Sequence, residues 1–125
     1  MDISKIAERL RRRAAELEQR PPLETLRDFV RGHVDDAESL DEIRTDLRRL
    51  AAVNTRSLKR ALRAFDAILA EPQSPGLLSW LVAWDANWVL DDETSDEAAA
   101  AFLRQLADIL REVLAEAERR ASSEA

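Results

Sequence analysis

The chain has no cysteine, no tyrosine, one histidine, two glycines and four prolines among its 125 residues. Without cysteine there is no disulfide, no thiolate zinc site and no thiol nucleophile. His33 alone cannot build a metal centre based on several histidines, and no helix carries the Glu-x-x-His pattern or the inward acid pairs of a di-metal bundle. No serine lies in a Gly-x-Ser-x-Gly context, and no glycine-rich phosphate loop is present. These gaps leave little for catalysis, so the expectation is a non-enzyme that binds no cofactor and no metal. His33 itself reads as a capping or surface residue. Long apolar runs are missing as well. The longest, residues 77–90, contains Asp85 and Asn87, and is too short and too polar to cross a bilayer. The opening residues MDISKIAERL have neither a basic start nor an apolar segment behind it, which predicts no signal peptide and a cytoplasmic protein.

What is present reads at helical period throughout. Apolar residues make up 46% and charged residues 35%, enough for a core under a wet surface. Residues 1–120 are expected to form one domain, with 121–125 as a disordered tail. A first helix from about Ser4 to Gln19 carries Ile3, Ile6, Leu10, Ala14 and Leu17 in a narrow stripe, suiting an outer helix or a coiled-coil arm. Pro21-Pro22 ends it, and Pro22 can open the second helix, which turns Leu23, Leu26, Phe29 and Val30 inward and is expected to stop at Gly32. Ser39 with Glu42 forms a capping box ahead of Leu40, Ile43, Leu47 and Leu50. Asn54 or Thr55 then caps a helix presenting Leu58, Leu62, Phe65, Ile68 and Leu69. Residues 71–76, EPQSPG, form the clearest loop. A fifth helix is predicted over 77–90. Thr94 with Glu97 gives a second capping box for a last helix that buries Phe102, Leu106, Ile109 and Val113. The fold class is therefore all-α, a single-domain bundle of five to six helices with a central Trp-rich helix.

All three tryptophans fall inside that fifth helix, immediately before the acidic run DDETSDE. At 100° per residue Trp80, Trp84, Trp88, Leu77 and Leu81 share one arc. Asp85 falls in apolar territory, where a carboxylate needs a partner. It is expected either to meet an arginine or helix N-terminus of its own chain, or to receive a partner's cation at a groove edge. Asp91, Asp92, Glu93, Asp96 and Glu97 lack the glycine and alternation of a calcium loop, and read either as acids complementing a helix dipole or as a recognition patch. Charge is divided unevenly: residues 1–70 carry 15 bases and 13 acids, residues 71–125 carry 4 and 12. The C-terminal half should attract a basic partner and repel nucleic acid.

In this general character the chain resembles the small acidic immunity proteins that bacteria make against secreted or contact-delivered toxins. The segment SWLVAWDANWVLDDETSDEAAAAFL, residues 79–103, carries the resemblance best. The resemblance implies neutralisation of a basic, nuclease-like toxin, with Asp85, Asp91, Asp92, Glu93, Asp96 and Glu97 as the steering carboxylates and Trp84 or Trp88 as the anchor. An alternative is a helical homo-oligomerisation or adaptor protein. Its seam would be the last helix, where Ala99, Leu103, Leu110 and Leu114 widen the apolar surface, or the stripe of the first. A third reading is a helix-turn-helix-like DNA binder over 44–65 offering Arg56, Lys59, Arg60 and Arg63, which the acidic remainder of the chain opposes.

Overall fold

In the computed structural model, which describes residues 3–124, the chain is 78% helical, with six helices and no strand among those residues. The helices are α1 (Ile3–Gln19), α2 (Pro22–His33), α3 (Leu40–Val53), α4 (Arg56–Ala70), α5 (Leu77–Trp80) and α6 (Asp96–Glu124). A π-helical segment, Leu81–Asp85, continues α5 without a break.

Local chemistry sets most of these boundaries. Pro21 is extended (φ −55°, ψ 140°), Pro22 takes the first helical position, and the Pro21 carbonyl accepts the Glu24 and Thr25 N–H groups. Gly32 does not end α2. The helix passes through it to His33, and the Val34 N–H still bonds the Val30 carbonyl, because Val34 is fully buried and holds the chain in register. At α3 the Ser39 hydroxyl accepts the Glu42 N–H (3.1 Å), while the Glu42 carboxylate reaches back to the Glu38 N–H. Asn54 supplies the cap of α4, accepting the Arg56 N–H at 2.8 Å, while Thr55 makes no side-chain cap bond. The predicted box at Thr94 is displaced by one residue. Thr94 turns back onto Asp92, and Ser95 takes over, accepting the Ala98 N–H at 3.1 Å. The expected disordered tail is helical instead, since α6 runs on to Glu124 with 121–123 exposed; Ala125 lies outside the described residues.

The centre of the bundle is α6. It packs against α3, α4 and α5, while α2 packs on α4, α3 and the π segment. Phe102, Leu103, Leu106, Ile109, Leu110, Val113 and Leu114 are all at most 7% exposed, so neighbouring helices of the same chain cover the wide apolar surface of α6. That surface is therefore not left over as a seam for a second copy. Leu26, Phe29 and Val30 of α2 and Leu58 and Phe65 of α4 complete the core, with Phe29 and Phe65 edge to face at 5.3 Å. The tryptophan segment packs against α6 through α5 and against α2 through the π segment, with Leu81, Val82 and Ala86 buried. Among the described residues, none of α1 belongs to the core cluster. Its stripe stays outside, with Ile3 and Leu10 81% and 66% exposed; the side chain of Leu17 lies outside the described part.

Candidate functional site

The expected helix over 77–90 is interrupted, and the interruption decides where each indole points. After Trp80 the turns widen: the Ala86 N–H bonds the Leu81 carbonyl and the Trp88 N–H reaches the Val82 carbonyl. Asn87 then takes a left-handed conformation (φ 49°), one that asparagine tolerates better than most residues, and the helix ends. Wider turns rotate the downstream residues out of the α-helical phase, so the single tryptophan arc of an ideal wheel is split.

Trp80 and Trp84, one turn apart, stay together. Their rings stack 6.2 Å apart at 25°, and they are 52% and 71% exposed. Two stacked indoles on the surface form an apolar ledge that water covers poorly. Trp88 leaves this ledge and stacks on Phe102 at 4.9 Å, where it is half-buried against the core. Of the two anchors expected from the sequence, Trp84 is thus at the surface and Trp88 is a packing residue. Trp80, absent from the expected residues, stacks on Trp84 at the surface; the i,i+4 spacing to Trp84 was the signal.

Asp85 sits behind the ledge, 5% exposed. Both its oxygens are occupied from α2. Arg27 Nε donates to Oδ2 at 3.1 Å, and Arg31 donates to Oδ1 through Nε at 2.9 Å and Nη2 at 2.6 Å. Asp85 is therefore held by its own chain and does not present itself to a partner's cation. Arg27 and Arg31 stand one turn apart on α2, and their side chains are 38% and 53% exposed, so water still reaches the cationic side of the pair. Sequence reasoning expected an arginine here without identifying which, because only the fold brings residues 54 and 58 positions away to this carboxylate. Beside Trp80 a cleft of about 370 Å³ opens, lined by Leu23, Arg27, Pro75, Gly76, Leu77, Leu81 and Asp85.

The acidic segment divides into two groups. Asp96 accepts the backbone N–H groups of Gly76 (2.8 Å) and Ser79 (3.0 Å), capping α5 from the first residue of α6. The Gly76 bond first, then the Ser79 bond, holds its carboxyl below the ordinary range. Asp92 accepts the Thr94 hydroxyl at 2.6 Å and the Thr94 N–H at 3.0 Å, and is lowered for that reason, the hydroxyl first. Asp91, Glu93 and Glu97 are exposed. Thus Asp96 ties the start of α6 to the start of α5, while Asp91, Asp92, Glu93 and Glu97 face solvent.

His33 packs on Phe29 (4.9 Å), with Nδ1 3.4 Å from Asp46 Oδ2. No group of three or more His, Cys, Asp or Glu could hold a metal ion among the described residues, and no described helix is long and apolar enough to cross a membrane. Comparison with protein-family models, with curated proteins and with solved structures finds no match.

Proposed function

We propose that this chain is a non-enzymatic protein-binding module of immunity type, which neutralises a basic toxin by docking it on the Trp80–Trp84 ledge. The observation that carries this reading is the stacked indole pair, 52% and 71% exposed. Interface energy concentrates in large aromatic side chains that become fully desolvated, and rigid indoles lose little conformational entropy on binding. The ledge is stiffened from behind by the Arg27–Asp85–Arg31 cluster and from the side by Asp96. Asp91, Asp92, Glu93 and Glu97 supply the steering field toward lysines and arginines. Asp85 acts as a support in this scheme, and Trp84 with Trp80 replaces Trp88 as the anchor.

The test is calorimetric titration with the basic terminal domain of a protein encoded beside this gene. A 1:1 complex is expected, weakened on the order of 30-fold by Trp84→Ala, a typical hot-spot loss. The triple charge reversal of Asp91, Asp92 and Glu93 to lysine should slow association and flatten its salt dependence. Binding that ignores both changes would overturn the assignment of the face.

A further inference from the structure

Among the described residues, α1 carries a further exposed apolar stripe. Ile3, Ile6 and Leu10 recur at helical spacing and are 81%, 37% and 66% exposed, and none of them joins the core cluster. The same helix carries Lys5, Arg9, Arg11, Arg12 and Arg13, the densest cationic run of the chain. An apolar stripe edged by cations is the complement of an apolar ledge followed by carboxylates. We propose that α1 of one copy docks on the Trp80–Trp84 ledge of a second copy, in a reciprocal dimer that buries both ledges. The proposal rests on reading the ledge as a protein-docking surface, and names the occupant that takes it when no other partner is bound.

Charge selects this pairing over the simpler one. Two α1 helices packed in parallel would set Arg9 and the run 11–13 against their own counterparts, which opposes association. On the ledge the cations meet Asp91, Glu93 and Glu97 instead. Because each copy contributes one helix and one ledge, a two-fold arrangement closes the pair and prevents open chains.

Sedimentation velocity from micromolar to near-millimolar concentration tests this on the full chain. The wild type should pass from monomer to dimer, with less dimer at high salt. A helix variant (Ile6→Asp, Leu10→Asp) and a ledge variant (Trp84→Asp) change exposed side chains, so both should keep the wild-type circular dichroism. Each alone should remain monomeric. Mixed, they should form a weaker heterodimer, because one intact helix then meets one intact ledge. A dimer lost in the helix variant but kept in the ledge variant would overturn the proposal in favour of α1–α1 pairing. A wild type that stays monomeric throughout would also overturn it. Titrating the helix variant with the neighbouring toxin domain separates the two readings, since it probes the ledge with self-docking removed. Binding there beside a monomeric wild type sinks only the dimer, whereas no binding beside a complementing dimer sinks only the immunity reading.

Discussion

A carboxylate with almost no solvent contact needs its cationic partners to offset its desolvation, and at Asp85 both come from one helix. Arg27 and Arg31 are themselves partly hydrated, so the pair is asymmetric: the anion is buried and the cations are not. Removing the anion leaves two arginines that turn to water. Removing both cations leaves a charge that cannot. Asp85→Ala is therefore expected to lower unfolding free energy by about 1–2 kcal/mol, and Arg27→Ala or Arg31→Ala alone by about 1 kcal/mol, since the remaining guanidinium still compensates. The double Arg27→Ala, Arg31→Ala variant should cost about 3–5 kcal/mol, more than its singles together. Urea unfolding of the four variants checks the order, and a larger loss for Asp85→Ala than for the double variant would contradict it.

The join between α5 and α6 depends on a side chain that caps a helix other than its own. Asp96 opens α6 but spends both oxygens on the N–H groups of Gly76 and Ser79. Bonding to its charged form places its folded pKa below the ordinary 3.8. The sign comes from linkage: the unfolded chain protonates this group at higher pH than the folded one does. Its contribution is complete above the ordinary carboxylate value and is lost as pH falls through the folded one. Asp96→Asn should therefore be less stable than wild type at neutral pH, with the gap closing below about pH 4. Thermal melts across pH 3–7 would show it, and a gap that stays constant would mean that the charge of Asp96 contributes nothing.

The same join shows what was legible in the sequence at this scale. Helices α1 to α4 and the 71–76 loop could be read because their signals are local: a proline pair, a capping box, an asparagine cap, a proline-glycine loop. The end of α5 was not legible, because the π turn and the left-handed Asn87 answer to tertiary demands. Asp85 must reach two arginines on α2, and Trp88 must reach Phe102. Half of the candidate site followed the same division. The exposed Trp84 and the exposed acids Asp91, Asp92, Glu93 and Glu97 could be named from composition and spacing, whereas the separation of Trp88 from the ledge and the use of Asp85 and Asp96 as supports depend on contacts across the fold.

At the scale of the molecule, the acidic excess of residues 71–125 is smaller at the surface than a count suggests. Arg48 of α3 grips Glu116 through two 3.0 Å bonds, Arg44 lies 3.4 Å from Glu112, and Arg111 pairs with Asp66 across α4 and α6. Acids and bases of the two halves thus pair where helices meet, while Asp91, Asp92, Glu93 and Glu97 stay exposed. All these pairs converge on α6, as does the apolar core, so one helix joins α3, α4 and α5 into a cooperative unit. Leu106, 1% exposed in the middle of α6, is the place to measure that cooperativity. Leu106→Ala should remove about 2–5 kcal/mol, a large part of what a domain of this size has, while leaving a single transition with an unchanged denaturant slope. α1, outside the core cluster, should instead exchange its amide hydrogens early, through local opening that the substitution does not alter. A second transition appearing in Leu106→Ala would show that the ledge-bearing segment folds apart from α3 and α4, and that the docking surface is not held rigid by the bundle.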